Sequence, residues 1–101
     1  MGLKAAFIFV APDADAARHR AVISTPVVEL TAVGVKNYAD AVEAAKNLVK
    51  EGIAAIELCA GFGVEGVAEI KKAVGSKVAV GVVRFDNHPG LEFKSGDEMF
   101  K

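Results

Sequence analysis

Two kinds of hydrophobic pattern follow one another along this chain, and together they predict an α/β domain. Short, continuously apolar runs are typical of buried strands, and they occur at residues 5–11, 27–35, 53–59 and 78–85. Apolar residues at spacings of three and four indicate helices with one buried face, and they occur at residues 38–51 and 64–74. Because strands and helices alternate from residue 27 onward, we predict a sheet built from βα units.

The predicted fold class is α/β, with a four-stranded, mainly parallel sheet that is either open or resembles half of a barrel. Parallel strands joined through helices take right-handed crossovers, so the last three strands are expected to be parallel neighbours. The first strand either joins them in parallel or pairs antiparallel at an edge. Residues 13–22 contain an Ala-rich stretch that favours a helix, but Arg18-His19-Arg20 is equally typical of an exposed loop.

The ends of the first predicted helix carry specific signals. Asn37 is a good N-cap, and Asp40 lies in the first turn, where a negative charge favours the helix dipole. Gly52 follows the last turn, at the position where a left-handed residue is favoured. A helix with these ends is expected to stop sharply before the next strand.

A chain of 101 residues has room for one domain, so we predict a single domain over residues 1–101 with a docking tail at residues 87–101. Disordered termini are typically poor in large apolar side chains. This tail contains four of them, at Leu91, Phe93, Met99 and Phe100. We therefore expect it to dock, either over the candidate site described below or onto a neighbouring subunit.

Composition narrows the classes of partner. The hydrophobic fraction of 52% is high for so short a chain, which indicates that a second subunit covers part of it, in a homodimer or a higher homo-oligomer. The 12 basic and 13 acidic residues form no basic cluster, which argues against nucleic acid. The longest apolar runs are too short to span a membrane, and no signal-peptide pattern is present. The single cysteine fits a reducing compartment, so we expect a cytoplasmic protein.

The most informative segment is Glu57-Leu58-Cys59-Ala60-Gly61-Phe62-Gly63, where the third predicted strand gives way to a helix. In α/β folds, ligands bind in the crevice beyond the carboxyl ends of the strands. The turn Gly61-Phe62-Gly63 would also place free N–H groups at a helix start, where anions bind. The sequence therefore predicts a ligand site at this junction.

Strand alternation predicts which polar groups share this site. We expect Glu29, Thr31, Glu57, Cys59, Arg84 and Asp86 to lie on the sheet face opposite the helices. Arg84 presents a fork of donors suited to a carboxylate or a phosphate. The alternative is that Glu57 and Arg84 form an ion pair, within the chain or across a subunit interface.

Two residues could add chemistry to such a site. Cys59 could act as a nucleophile if the helix start and Arg84 stabilised its thiolate, although a buried structural thiol is the commoner case. His88 follows Asp86 on a turn-prone segment and could act as a general base or orient another group. Asp86, His88 and Glu57 could together ligate one metal ion, but the paired-histidine spacing typical of zinc is absent, so no metal ligand is predicted. The cofactor stays unknown.

The strings IELCAGFG and VGVVRFDNHPG, with the tail SGDEMF, resemble those of a family of small prokaryotic proteins of unknown function. The likeness covers essentially the whole chain, and it implies no particular activity. The layout GI-x-x-IEL before a glycine turn is also similar to strands of (β/α)₈ aldolases of the keto-deoxy-phosphogluconate type. No lysine is placed to form their Schiff base, so that chemistry is not implied.

Two functions follow from these patterns. The first is a small-molecule site for an anionic metabolite, with or without catalysis. It would use Glu57, Cys59 and His88 for chemistry, and Gly61, Phe62, Gly63, Arg84 and Asp86 for binding. The second is a non-catalytic oligomeric or regulatory module, in which the same charges form structural ion pairs.

Overall fold

The most apolar segment of the chain forms the central strand of a five-stranded sheet in the computed structural model, which describes residues 2–101. The elements, in chain order, are β1 (Leu3–Val10), β2 (Arg20–Ser24), β3 (Val28–Val35), α1 (Tyr38–Lys50), β4 (Ala55–Leu58), α2 (Val64–Val74), β5 (Ala79–Val82), a 3-10 turn (Pro89–Leu91) and α3 (Gly96–Met99).

The strand order is β2-β3-β1-β4-β5, and every neighbouring pair is parallel except β2 with β3. The predicted α/β class with a mainly parallel sheet is confirmed. The question left open for the first strand is also answered, since β1 runs parallel to both β3 and β4. The expectation that β3 and β4 are neighbours was wrong, because the continuously apolar β1 lies between them.

The count of four strands was wrong because residues 20–24 form β2. Val22 and Ile23 are β-branched, and such residues favour strands. The turn before β3 holds the two strands together, since the N–H of Thr25 bonds to the carbonyl oxygen of Val28 and the N–H of Val28 bonds to Thr25 Oγ1. The preceding Ala-rich stretch forms only a single turn, in which the N–H of His19 bonds to the carbonyl oxygen of Asp15.

Both long helices pack on the same face of the sheet and against each other. The core lies between them and the sheet and includes Ala6, Ile8, Val33, Val35, Ile56 and Leu58 from the strands, with Ala41, Leu48 and Ile70 from the helices. The opposite surface, called here the open face, has no helix over it within residues 2–101. Register places these strand residues on it: Leu3, Ala5, Phe7, Phe9, Ala21, Ile23, Val28, Leu30, Ala32, Gly34, Ala55, Glu57, Ala79 and Gly81.

The predicted signals at the ends of α1 are confirmed. The Asn37 side chain accepts a hydrogen bond of 2.9 Å from the N–H of Asp40, which satisfies one free donor of the first turn. Gly52 follows the helix with a φ of 95°, in the left-handed region that a side chain disfavours. The helix therefore begins and ends where the sequence indicates.

Candidate functional site

The start of α2, where the sequence predicts an anion site, is occupied by a carboxylate from the same chain. The N-cap of α2 is Gly63, which has no side chain to offer the free N–H groups. Asp97, from α3, takes this place: its oxygens accept hydrogen bonds of 3.0 Å from the N–H of Glu65 and 3.2 Å from the N–H of Gly66. An anion is therefore bound at the helix start, and it is an internal one.

The Tyr38 hydroxyl joins this carboxylate to the glycine turn. It donates a 2.9 Å hydrogen bond to Asp97 Oδ1 and accepts one of 2.9 Å from the N–H of Gly63. The Tyr38 ring is buried and stacks on Phe62, with ring centres 5.5 Å apart and planes 9° apart. The first residue of α1 thus holds the first turn of α2 and the tail together.

Three glycines make room for this arrangement. A Cβ on Gly63 would overlap the Asp97 carboxylate, and one on Gly66 would overlap the Tyr38 ring. A Cβ on Gly96 would overlap the backbone carbonyl of Gly61. The spacing Gly61-x-Gly63-x-x-Gly66 is that of a dinucleotide-binding turn, but here the space that it leaves is filled by the chain itself.

The protonation of this cluster is set by burial and hydrogen bonding. Burial acts to raise the pKa of Asp97, but the bonds from the N–H of Glu65, the Tyr38 hydroxyl and the N–H of Gly66 outweigh it, so the pKa lies below its ordinary value of 3.8. Burial is also the main reason why the pKa of Tyr38 is raised. Near neutral pH the cluster is therefore a carboxylate held by neutral donors.

The C-terminal tail lies against α2 and the core. The Ser95 hydroxyl caps α3 by accepting a hydrogen bond from the N–H of Asp97. The Glu98 carboxylate accepts a hydrogen bond from the N–H of Ser95, and the two bonds together make a capping box. The Phe100 side chain is buried in the core, and its carbonyl oxygen accepts from the N–H of Tyr38. These contacts fix Asp97 at the start of α2.

The structure does not bring Glu57 and Arg84 together, and the predicted shared face was wrong. Register pairs Glu57 with Gly81 and Leu58 with Val82. Glu57 therefore lies on the open face, whereas Val82, two residues before Arg84, lies on the side of the helices, and Arg84 itself follows the end of β5. The Arg84 guanidinium instead forms a 2.7 Å ion pair with Asp86, in which both side chains are largely exposed.

Glu29 and Thr31 also lie on the side of the helices, contrary to expectation. Thr31 pairs with Ala6 and is only 2% exposed, and Glu29 approaches the ammonium of Lys4 at 3.9 Å. The prediction failed because alternation assigns residues to two faces without saying which face the helices cover. Glu57 is the one member of the predicted set that register places within a strand of the open face.

Cys59 lies just beyond β4, next to the carboxyl end of β1. Its half-buried sulfur accepts hydrogen bonds of 3.2 Å from the N–H of Gly61 and 3.5 Å from the N–H of Val10. Both donors are backbone groups, one at the end of β1 and one in the turn before α2. The contacts fix the position of the sulfur and place no other ionisable side chain against it.

His88 has a local structural contact. Its Nδ1 accepts a 2.9 Å hydrogen bond from the N–H of Gly90 and so caps the 3-10 turn, while its ring meets the edge of Phe85 at a centre distance of 5.2 Å. Nε2 is thus the nitrogen that carries the proton in the neutral ring. His88 is held by its own loop, as Asp86 is held by Arg84.

A family model described as a family of unknown function, DUF6506, matches residues 3–98 of the chain. The chain belongs to the DUF6506 family. The resemblance to a family of unknown function is therefore confirmed. No curated protein and no solved structure matches the chain. The DUF6506 match extends from β1 into α3, so it includes both the start of α2 and Asp97.

Two concave regions of this DUF6506 chain lie away from Glu57, Cys59, Arg84 and His88. One of about 470 Å³ lies at the amino ends of β1 and β3, beside Lys4 and Glu29. Another, of about 550 Å³, separates the loop after β1 from α1 and is lined by acidic groups with Arg18 and Lys36. Within residues 2–101, no three His, Cys, Asp or Glu side chains are grouped to hold a metal ion, and no helix has the length and apolar character to cross a membrane.

Sequence reasoning missed the residues that organise the start of α2. Tyr38 is only the first residue of the predicted helix 38–51, and Asp97 is only part of the predicted tail 87–101. Two signals could have indicated them: the third glycine at Gly66, and the Ser-x-x-Glu capping box that places Asp97 in the first turn of α3. Neither signal specifies that α3, which carries Asp97, packs against the start of α2.

Proposed function

We propose that this chain is a non-catalytic assembly module that binds a second copy of itself through the open face of its sheet. The observation that carries the proposal is that both long helices cover the same face of the sheet. The other face of all five strands is therefore left without a covering layer. A sheet with an apolar face is normally buried against another element. A second subunit is the element that a homo-oligomer supplies.

The residues of the open face support this proposal. Of the strand residues that register places there, all are apolar or glycine except Glu57. Ile23 is 58% exposed and Leu3 is 46% exposed, and the rings of Phe7 and Phe9 are half-buried. A continuous apolar surface of this kind marks an interaction site in a folded protein.

The size of the face suits a dimer. β1 and β3 have eight residues each, β2 has five, and β4 and β5 have four each. With strands about 4.8 Å apart and a rise of about 3.3 Å per residue, the strands cover about 460 Å² in plan. A standard interface removes about 800 Å² of accessible surface from each partner, so projecting side chains and the loops at the strand ends supply the remainder.

The charged groups near the strand ends support a structural role rather than catalysis. Asp97 is bonded to the start of α2, Arg84 to Asp86, and Arg20 to Glu51 at 2.7 Å. Each of these groups therefore has a partner within its own chain. A reducing compartment such as the cytoplasm suits the free thiol of Cys59.

The competing function is a site for an anionic metabolite at the carboxyl ends of the strands. It draws support from the half-exposed guanidinium of Arg84 and from Cys59 at the adjacent strand end. Such a ligand would have to displace Asp97 from α2 or Asp86 from Arg84. Titration calorimetry with inorganic phosphate separates the two functions: we expect no saturable heat, and binding that Arg84→Ala abolishes would favour the metabolite site.

The assembly proposal is tested by the mass of the protein in solution. Ile23 and Val22 are neighbours on β2 with similar exposures of 58% and 51%, but register places Ile23 on the open face and Val22 on the other side. We expect sedimentation velocity to show that the wild-type protein is a dimer. Ile23→Glu should weaken dimerisation more than about tenfold, because it buries a charge in the interface. Val22→Glu should leave dimerisation unchanged. A monomeric wild-type protein would contradict the proposal, and equal loss in both variants would move the interface to the edge of β2.

A further inference from the structure

One row of residues across the open face is unequal in side-chain size, because its large and small residues occupy opposite halves. In this row of the register, the β2 and β3 positions are Ile23 and Leu30, and the β4 and β5 positions are Ala55 and Ala79. Ala5, on the central strand, lies between the two halves. The β2–β3 half of this row therefore projects further from the sheet and is called here the raised half. The β4–β5 half, whose side chains are single methyl groups, is called the low half.

The single charge of the face also lies off its centre. Glu57 is on β4, one strand away from the central β1, and its neighbours across the strands are Phe7 and Gly81. At the mirrored position, one strand to the other side of β1, the same row carries Ala32. The charge and the two large aliphatic side chains thus lie on opposite sides of β1.

We propose that two copies pack face to face about a two-fold axis parallel to β1, so that the β2–β3 half of each copy covers the β4–β5 half of the other. This arrangement rests on the proposed function, since it specifies how the second copy sits on the open face. Packed sheets lie about 10 Å apart with their strands nearly aligned. A two-fold axis along the strands keeps the strand directions of the two copies the same.

This axis sets large side chains against small ones. Leu30 of each copy lies over Ala55 of the other, and Ile23 lies over Ala79, so that the raised half of one row fills the low half of its counterpart. Interiors pack at the density of organic crystals, and side chains of unequal size must alternate across the contact to reach it. Glu57 then faces Ala32 of the second copy rather than another charge, and the open space over its neighbour Gly81 on the edge strand leaves its carboxylate a path to solvent.

The alternative two-fold axis, across the strands, gives a poorer contact. It stacks each strand on its own counterpart, so that the low β4–β5 halves of the two copies face each other. A gap then remains over Ala79, which has only small residues of β5 opposite it, whereas Gly81 meets a small residue under either axis, Ala21 under the proposed one. This axis also puts both copies of Glu57 on facing strands, and like charges opposed across an interface weaken it. Charge and side-chain volume therefore favour the axis along the strands.

The proposed axis has a geometric consequence for the carboxyl ends of the strands. Because the strand directions agree, the carboxyl ends of β4 and β5 lie at the same end of the assembly in both copies. The segments that carry Cys59, Arg84 and His88 would then border one shared end. The other axis would place them at opposite ends.

The arrangement is tested by exchanging volume across the interface. Leu30→Ala leaves a gap under the proposed axis, and Ala55→Leu creates an overlap. We expect each variant alone to dimerise at least about tenfold more weakly than the wild type, since one side chain of this size is decisive in a packed contact. Within one chain β1 separates the two positions, so neither change compensates the other inside a monomer.

The two variants should repair each other between chains. A mixed dimer contains one Leu30→Ala chain and one Ala55→Leu chain. The shortened side chain at position 30 of the first chain lies over the enlarged side chain at position 55 of the second. The symmetry-related contact, between Ala55 of the first chain and Leu30 of the second, is the same as in the wild type. Native mass spectrometry of an equal mixture should therefore show hetero-dimers well above the statistical half. The double variant Leu30→Ala/Ala55→Leu should regain dimerisation to within about threefold of the wild type, because its gap and its overlap cancel.

The outcomes separate this arrangement from the function on which it rests. Hetero-dimers at the statistical half, or a double variant weaker than both single variants, would overturn the axis while the dimer through the open face stands. A wild-type protein that is monomeric by sedimentation would overturn both. Circular dichroism melting of each variant, carried out on diluted monomer, shows that a lost dimer is not a lost fold.

Discussion

The two long helices of this domain begin in different ways. At the start of α1, Asn37 caps the helix by bonding the N–H of Asp40, three residues further along. At the start of α2, Gly63 offers no side chain, and the cap is Asp97, which is 32 residues away from Glu65. The first cap is a local property of the sequence, whereas the second exists only when the tail is docked.

The difference makes α2 dependent on tertiary structure in a way that α1 is not. Loss of the tail removes the acceptor for two N–H groups of α2, together with the partner of the Tyr38 hydroxyl. It also frees the N–H of Tyr38 from the carbonyl oxygen of Phe100, but it leaves the Asn37 cap of α1 in place. Changes at the α2 start should therefore report on the tail, and changes at Asn37 should not.

The largest effect is expected from Gly96→Ala. The added methyl group would overlap the carbonyl oxygen of Gly61, which belongs to the backbone and cannot rotate away. We expect the tail to undock at a cost of about 3 kcal/mol, in the upper range for overpacking, measured by urea denaturation. Gly81→Ala is the control, because its methyl group meets its nearest neighbour, in the Glu57 side chain, at 3.8 Å. Equal stability of the two variants would show that α3 does not pack as described.

The second prediction compares the two caps directly. Asp97→Ala removes charged hydrogen bonds to two N–H groups and to Tyr38, so it should cost about 2 kcal/mol. Asn37→Ala removes a single neutral bond and should cost about 1 kcal/mol. Hydrogen exchange gives the sharper result: Asp97→Ala should accelerate exchange in the first turn of α2 and in α3, while Asn37→Ala should affect only α1. Matching exchange patterns would contradict the local and distant roles assigned to the caps.

Tyr38→Phe should cost about 1.5 kcal/mol, because the N–H of Gly63 is left buried without an acceptor. The ring is retained, so stacking on Phe62 is preserved. In a double-mutant cycle with Asp97→Ala, the two costs should fail to add, since the hydroxyl and the carboxylate are bonded to each other. Additive costs would indicate that the two groups act independently.

The smallest effect is on the pH dependence of stability. The pKa of Asp97 in the folded protein is below 3.8, its ordinary value, which the unfolded chain is expected to show. Its contribution is therefore fully present above pH 3.8 and is lost as the pH falls through the lower, folded value. The difference in unfolding free energy between wild type and Asp97→Ala should be constant from about pH 5 to about pH 7 and shrink below pH 3.8. A difference that grows in acid would mean that the carboxyl group is protonated in the fold.

The main elements could be predicted from the sequence because their signals are local. The helical spacing between residues 38 and 51, the Asn37 cap and the Gly52 stop all depend on neighbouring residues, and all are found in the structure. The short β2 escaped prediction because its pattern covers only Arg20–Ser24 and depends on pairing with β3. The Ala-rich segment just before β2 favours a helix, and this obscured the residue at which β2 begins.

The candidate site could be predicted only in part, because it depends on pairing between distant segments. Strand alternation correctly separates Glu57 from Ile56 and Leu58, but it cannot state that Glu57 pairs with Gly81 rather than with a neighbour of Arg84. The glycine turn before α2 indicates free N–H groups at the helix start, and in the structure a carboxylate of the same chain accepts hydrogen bonds from them. That the anion is Asp97 depends on how residues 95–100 fold back, and no local pattern encodes it.

The cap supplied by Asp97 also determines the order in which the chain can fold during synthesis. Synthesis proceeds from the amino end, so α1 is complete with both of its local end signals before α3 exists. The first turn of α2 is synthesised more than thirty residues before its cap. The strand-to-helix junction must therefore wait, incomplete, until α3 has been added.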